Sequence, residues 1–595
     1  MIRTPLRPLA RILSARERGE NPDVIERENI RQRREAARDA ARGRAEWRLA
    51  LLGIAFVAGF ATVGARMAML AATEPVEPQI ASAGDAILAA RADIVDRNGR
   101  VLATNLLTHS LYAQPPMMVD PARVATELVK IFPDLHADRL QADFTGPRKF
   151  LWIKKKISPE QMQAVHDIGD PGLLFGPREM RLYPNGQLAA HVLGGASFGR
   201  EDVGSAELVG VAGVEKAFDG WLRDPANEGQ PLRLSLDLTV QSAVEEVLAS
   251  GIRLMQAKAG TAVLLNVHTG EIAALASLPD FDPNARPAPL TTGEPGDSPL
   301  FNRAVQGVYE LGSTFKVFAA AQALELGLVT PQTMIATRGP LVWGKFRIND
   351  FHDYGPQLSV TDVIVESSNI GAARIAQMIG AEQQRDFLTR LGFAAATGVE
   401  LAEAHGARPL LPPNWSELST MTIAYGHGLS ASPLHLAAAY ATLANGGSRV
   451  TPTLLAGAQK PLGAQIVSPA VAATIMSMLR QVVTRGTASF GEVPGYEVGG
   501  KTGTADKPKP TGGYYDDKVI ATFAAVFPAQ TPEYVLVLTL DEPVENAGSE
   551  TRRTAGWTAV PVGAEVIRRA APLLGLRPSY QPVAATAAAL NLARN

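Results

Sequence analysis

Tyr309-Glu310-Leu311-Gly312-Ser313-Thr314-Phe315-Lys316-Val317-Phe318-Ala319-Ala320-Ala321-Gln322-Ala323-Leu324 runs from a glycine turn into an apolar, strongly helix-forming segment. Gly312 permits the tight turn, and the alanine- and phenylalanine-rich run after Lys316 predicts a buried helix. Residues three apart share a helix face, so the Lys316 amine reaches the Ser313 hydroxyl. A serine is a poor nucleophile at neutral pH, but a lysine kept partly neutral by burial takes its proton. Ser313 is therefore the candidate nucleophile and Lys316 the candidate base. A serine three residues before a lysine usually marks only a solvated helix turn. Here it is the sole such spacing in the chain and stands at a helix start.

Two further strings follow in order. Ser367-Ser368-Asn369, within Val363 to Gly371, offers a hydroxyl and an amide at i and i+2, which suits a loop between two helices. Ser367 is placed to pass protons between Lys316 and a leaving group; Asn369 is expected to bond the substrate backbone and hold Lys316. Alone, Ser-Ser-Asn is an ordinary cap or turn string. Lys501-Thr502-Gly503-Thr504 follows Val498-Gly499-Gly500 and continues to Ala505 as an edge strand flanking a cleft. Lys501 and Thr502 suit a terminal carboxylate. The backbone N–H groups of Ser313 and Thr504 form the expected oxyanion hole, each worth about 3 kcal/mol to an acyl-transfer transition state. Gly499-Gly500-Lys501-Thr502 is no phosphate loop, since it lacks the spaced upstream glycine and the strand-loop-helix setting.

The chain has 595 residues, a net charge of −2 and no cysteine, so it accommodates two or three domains and needs neither disulfides nor thiolate metal sites. No metal-spaced histidine cluster stands out, and nothing global points to nucleic acid. Leu49 to Ala65 is an uncharged apolar run, continued to Ala72 with only Arg66 interrupting, and is long enough to span a bilayer. Arg66 lies near the far end, where it can snorkel. Arg31, Arg33, Arg34, Arg38, Arg42, Arg44 and Arg48 precede the run, with Trp47 at the interface, which orients the N-terminus to the cytoplasm. The long basic leader and long apolar run favour an uncleaved anchor over a signal peptide. Acidic residues interleave with the arginines, so the arm reads as mixed-charge, partly helical or disordered.

Beyond the linker-like Thr73 to Ala90, Arg91 to Ala103 reads as a strand, an Asn98-Gly99 turn and a second strand, with Asp93, Asp96 and Arg97 as charge pairs holding a hairpin. Lys154, Lys155 and Lys156 close an apolar strand and read as a solvated strand edge. His191 reads as a capping or packing residue rather than a metal ligand, and the glycines up to about Gln230 as turn and close-packing positions. A second domain opens at Leu232, with Asp237 capping a helix. Thr261 to Val267 and Glu271 to Ala276 form a hairpin for a sheet covered by helices. Pro279 to Pro299 is an irregular surface loop.

With these residues placed, the chain resembles the class B penicillin-binding proteins, most closely the division-specific (septal) peptidoglycan D,D-transpeptidases of Gram-negative bacteria, the FtsI type. The resemblance rests on the anchor, Arg91 to Ala103, Arg181 to Pro184, Gly210 to Glu215, Tyr309 to Phe318, Ser367 to Asn369, Tyr425 to Gly428, Thr484 to Thr487 and Lys501 to Ala505. Asp506 stands where the pattern leads one to expect Gln or Glu. The resemblance implies an α+β fold: a cytoplasmic arm 1–48, a transmembrane anchor 49–72, an elongated pedestal of the dimerisation type 73–230, a transpeptidase domain 231–576 with an antiparallel sheet sandwiched between helical layers, and a flexible tail 577–595.

The same resemblance implies a periplasmic serine acyl-enzyme. It attacks the D-Ala-D-Ala end of a stem peptide, releases D-Ala and passes the acyl group to a neighbouring stem's amine. The catalytic residues are Ser313, Lys316, Ser367, Asn369 and Lys501, with Thr502, Gly503 and Thr504 binding substrate. No cofactor is implied; β-lactams are the inhibitors, and the partners are a polymerase of the SEDS class and other division-machine membrane proteins. The competing readings are an elongation-specific transpeptidase, a membrane β-lactam sensor, which would need several spans and an effector, and a β-lactamase, which would not carry a large pedestal.

Overall fold

A computed structural model describes residues 7–72, 91–198, 208–227, 229–457, 463–509 and 512–579. The chain divides into two units, residues 1–80 and 81–595. In the first, a helix Arg7–Glu17 precedes a 51-residue helix Pro22–Ala72. Within it Glu46–Met67 is apolar enough to cross a membrane, and none of its most apolar stretch is buried. The arm expected to be partly helical or disordered is helical over its described residues except for the turn Arg18 to Asn21. The linker expected over Thr73 to Ala90, and the tail from residue 580, lie outside the described residues.

The second unit begins with a sheet built on β1 (Ile94–Val95) and β2 (Val101–Ala113). Gly99, at φ +83°, makes the expected turn. The second strand runs ten residues past the expected end at Ala103, because β3 (Leu151–Ile157) and β4 (Leu173–Leu182) both pair antiparallel with it. Strand β3 lies at the sheet edge, and Lys154 on it pairs with Asp134, which fits the solvated-edge reading.

The charged residues near Asn98-Gly99 do not pair with one another across the hairpin, and that expectation is corrected: Asp96 closes the turn through backbone N–H groups instead. The Asp96 carboxylate accepts from the backbone N–H groups of Asn98 and Arg100, both at 2.8 Å, and of Leu238 at 3.1 Å. Arg97 pairs with Glu271 at 3.0 Å. Asp96 therefore serves both the turn and the junction with the following domain, and Arg97 serves the junction. There β5 (Leu232–Arg233) runs parallel to β1, Ile94 opposite Leu232 and Val95 opposite Arg233.

Behind the first sheet lies a buried charge cluster. Glu215, fully buried, accepts from Arg91 Nε at 2.7 Å, Arg181 Nε at 2.6 Å and the Tyr183 hydroxyl at 3.2 Å. Arg91 also reaches Asp219 at 2.7 Å. Two guanidiniums around one carboxylate repay its desolvation only because nearly every donor finds an acceptor. His191 is buried, edge-on to Phe281, with Nε2 3.4 Å from the Pro279 carbonyl. It packs, as expected.

The larger domain is organised by a five-stranded sheet of β6 (Ala259–Asn266), β7 (Ile272–Leu278), β8 (Gly499–Pro508), β9 (Tyr514–Phe527) and β10 (Tyr534–Asp541), in the order β8-β9-β10-β6-β7 and antiparallel throughout. Its central strands are apolar on both faces and buried on both, the pattern of a sheet covered on each side. Helices α1 (Leu238–Leu254) and α7 (Ala559–Leu573) pack on one face; α5 (Pro433–Ala444) and α6 (Pro469–Arg485) pack on the other. The two central threonines, Thr522 and Thr539, satisfy each other at 3.0 Å. Asp237 caps α1 as expected, accepting from Thr239 and Val240. Helices α2 (Lys316–Glu325), α3 (Val360–Val365) and α4 (Asn369–Ile379) pack on one another, and α2 and α3 pack on α6. Edge strand β8 flanks the turn that precedes α2.

Candidate active site

Ser313 stands in a 3-10 turn, Gly312–Phe315, that winds into α2 at Lys316. The turn is possible because three glycines let backbones interlock. A Cβ on Gly312, whose φ is +56°, would lie 2.6 Å from the Thr504 carbonyl oxygen; one on Gly503 would lie 2.2 Å from the Leu311 oxygen; one on Gly426 would lie 1.9 Å from the Gly312 oxygen. Behind the turn the buried Tyr440 donates to the Thr314 carbonyl at 2.9 Å. The nucleophile's backbone is thereby held from strand β8, from the 425–428 loop and from α5.

Lys316 is buried, and its Nζ lies 2.8 Å from Ser313 Oγ and 3.0 Å from Ser367 Oγ. It also donates to the Ser367 carbonyl. Ser367 forms the expected loop between α3 and α4. Its φ of +66° is left-handed, a strained state for serine. That turn brings the residue's carbonyl and hydroxyl to the same amine. Lys501, also fully buried, donates from Nζ to Ser367 Oγ at 2.9 Å. Ser313, Lys316, Ser367 and Lys501 thus form one continuous hydrogen-bonded chain.

The two amines share one low-dielectric region without an ion-paired carboxylate. Burial, reinforced by the positive charge of Lys501 and opposed by Asp350, pushes Lys316 well below the usual lysine range. Burial alone brings Lys501 down to about 7. A buried amine with a depressed pKa is a proton acceptor at neutral pH.

Asn369 differs from expectation: its amide donates to the Asn349 carbonyl at 2.9 Å, not to Lys316, which the two serines hold instead. The loop is carried by a residue that the sequence reading passed over. Asp350 accepts from Ser368 Oγ at 2.6 Å, from the Asn369 N–H at 2.5 Å and from the Ile370 N–H at 3.0 Å. It thereby fixes the start of α4. Its signal in sequence is nil, because an Asn-Asp pair after a weak strand looks like any turn.

On the opposite wall, Thr502 Oγ1 lies 2.8 Å from Thr487 Oγ1, and Thr504 Oγ1 accepts from the Ala555 N–H at 2.9 Å. Thr487 ends the Thr484-Arg485-Gly486-Thr487 string, singled out in the sequence without a role. Glu310, three residues before Ser313, accepts from the Gly428 N–H at 2.7 Å and from the Tyr514 hydroxyl at 3.0 Å. Among the described residues no group of three or more His, Asp or Glu side chains is arranged to hold a metal ion.

A buried serine–lysine–serine–lysine chain beside an edge strand defines a serine acyl-transfer site of the penicillin-interacting kind. Comparison with known proteins agrees. Residues 260–556 match the penicillin-binding protein transpeptidase domain, and residues 86–230 match the penicillin-binding protein dimerisation domain. The chain is 36% identical to a probable peptidoglycan D,D-transpeptidase FtsI of Caulobacter vibrioides, over 82% of either chain. It is 32% identical to a probable peptidoglycan D,D-transpeptidase PenA of Neisseria gonorrhoeae, over 84% of this chain and 87% of the other. Penicillin-binding protein 3 of Mycobacterium tuberculosis, solved with aztreonam, superposes with a TM-score of 0.62 at 28% identity, covering 83% of this chain and 98% of that one. The chain belongs to the class B penicillin-binding proteins, with a dimerisation-type domain ahead of the transpeptidase domain, and within them to the FtsI type.

Proposed function

We propose that this protein is a peptidoglycan D,D-transpeptidase that cross-links stem peptides through an acyl-enzyme on Ser313. The observation that carries the reading is the chain Ser313–Lys316–Ser367–Lys501 with both amines buried. Lys316 takes the Ser313 proton as the hydroxyl attacks the D-Ala-D-Ala carbonyl. Ser367 relays that proton to the leaving D-Ala, with Lys501 on its far side. Thr502, with Gly503 and Thr504 along β8, receives the terminal carboxylate; Asn369 binds the donor backbone. The N–H groups of Ser313 and Thr504 stabilise the oxyanion, each contributing about 3 kcal/mol. β-Lactams acylate the same serine.

In this reading the arm 1–48 is cytoplasmic, 49–72 spans the inner membrane, 73–230 is the pedestal, 231–576 is the periplasmic catalytic domain and 577–595 is a tail. The enzyme works at the division septum beside a SEDS-class polymerase and other division-machine membrane proteins. The likeness to FtsI-type relatives supports the septal assignment. Intact-mass measurement with a labelled penicillin tests the chemistry: a stable adduct on the native chain and none on Ser313→Ala is expected, and an adduct that survives the substitution would overturn it. A tagged copy tests the site of action: midcell is expected, and distribution along the side wall would assign it to elongation.

A further inference from the structure

The loop Tyr425-Gly426-His427-Gly428 walls the cleft, and acylation leaves His427 without a task. Gly426 packs directly on Gly312, so residue 427 is carried to the rim of the nucleophile's turn. The His427 ring lies between Tyr425, with centroids 5.4 Å apart, and Tyr514, stacked at 6.1 Å. Its Nδ1 is sealed from solvent and, among the described residues, bonds nothing. A sealed imidazole nitrogen without a partner is unusual unless a ligand or a water completes it.

The groups facing the ring are few. Glu310 is held by Gly428 and Tyr514 on one side, Asp506 lies on β8, and Lys316 lies behind. Burial and the Lys316 charge hold the imidazole below the usual histidine range, against the pull of the two carboxylates. Burial, reinforced by Glu310, raises the Tyr514 and Tyr425 hydroxyls to about 12, so both stay neutral. The rim therefore presents a neutral base flanked by two anionic side chains.

The second half-reaction needs such a base. A stem-peptide amine is an ammonium at neutral pH and must lose two protons to become an amide nitrogen. Lys316 disposes of one, returning it to Ser313 Oγ as the ester C–O bond breaks. The other must leave before the amine can attack, and Lys316 and Lys501 are both buried, whereas the rim carries His427. We propose that His427 takes that proton from the acceptor ammonium, which Glu310 and Asp506 draw to the rim, so that the freed amine attacks the acyl-enzyme. The new C–N bond replaces the C–Oγ bond, one proton ends on Ser313 Oγ and the other on His427, which releases it to water. The inference rests on the acyl-transfer reading of Ser313.

The test uses the full chain in detergent, a small acyl-D-alanyl thioester as donor and D-alanine as the probe amine, and reads the ratio of amide to hydrolysed acid. In His427→Gln, acylation by penicillin, which needs no acceptor, is expected to stay within about twofold. The amide-to-acid ratio is expected to fall at least about tenfold at pH 7. That deficit closes as the pH rises towards the amine's own pKa, because the acceptor then arrives free. Glu310→Gln is expected to raise the D-alanine concentration needed for half-saturation severalfold. An unchanged ratio in His427→Gln, a deficit constant with pH, or an equal loss of penicillin acylation would each overturn the inference. Failure of the native chain to take penicillin would instead overturn the acyl-transfer reading itself.

Discussion

Lys501 Nζ lies 2.9 Å from Ser367 Oγ, the same oxygen that Lys316 Nζ meets at 3.0 Å. One hydroxyl oxygen therefore couples two buried amines, accepting from both. Ser367→Ala removes the coupling and leaves each amine with fewer partners. General acid–base relays of this kind are worth about 10²–10⁴ in rate. Acylation by penicillin is expected to slow by about that factor, with Ser313 still labelled at long times. Stopped-flow acylation kinetics check it, and a change under threefold would remove Ser367 from the relay.

The buried lysines make stability depend on pH with a definite sign. In the unfolded chain Lys501 keeps an ordinary pKa near about 10.4, whereas in the folded protein it lies at about 7. Between those values the unfolded state binds more protons, so the cost of burying this side chain falls as pH rises from about 7 to about 10 and is full below 7. Lys501→Met removes a buried charge and keeps the volume. It is expected to raise the apparent Tm by roughly 3–6 °C at pH 6, with the gain vanishing near pH 10, while penicillin acylation is lost. A Tm lowered at pH 6 would show that Lys501 is stabilised as a cation by something other than its surroundings in this site.

Much of the catalytic domain was legible in the residues. The Ser313–Lys316 spacing works because a 3-10 turn running into a helix keeps the two on one side, and Ser367 lies in the loop its polarity implied. The edge strand at Lys501 was legible from Gly499-Gly500, where a Cβ on Gly500 would meet Phe523 at 2.6 Å. What escaped were contacts between distant segments. Asp350 lies 18 residues before Ser368 with no pattern joining them, and Arg97 reaches Glu271 across 174 residues. Local periodicity carries no record of such pairs, so Arg97 looked like a hairpin partner when it serves the junction.

The two kinds of ion pair at and near that junction are expected to behave differently. Glu215 is fully buried and serves Arg91, Arg181 and Tyr183 at once. Glu215→Ala leaves Arg181 without a carboxylate in the interior and Arg91 with Asp219 alone, at about 3–5 kcal/mol. Arg97 is a third exposed, and Arg97→Ala is expected to cost under about 1 kcal/mol. Limited proteolysis of the first sheet and thermal unfolding distinguish them: early cleavage in Glu215→Ala alone is the expected result, and equal sensitivity of the two variants would refute the assignment.

Gly426→Ala separates the backbone lock from the side chains it carries. Gly426 has φ +90°, where an L side chain is strained, and its Cβ would meet the Gly312 carbonyl oxygen at 1.9 Å and the Gly312 Cα at 2.5 Å. Neither contact can be relieved by a rotamer change, because both partners are backbone. The turn before Ser313 must therefore shift, and with it the Ser313 N–H and Oγ relative to Lys316. Misplacement of an ångström at a nucleophile costs about 10²-fold, so penicillin acylation is expected to fall at least that far. The sheet core is untouched, so unfolding should remain cooperative with a lowered Tm. The same substitution at Gly406, where no atom lies within 4 Å of the added Cβ, is the control and is expected to leave acylation unchanged. Equal acylation rates in the two variants would show that the Gly426–Gly312 contact does not position the nucleophile.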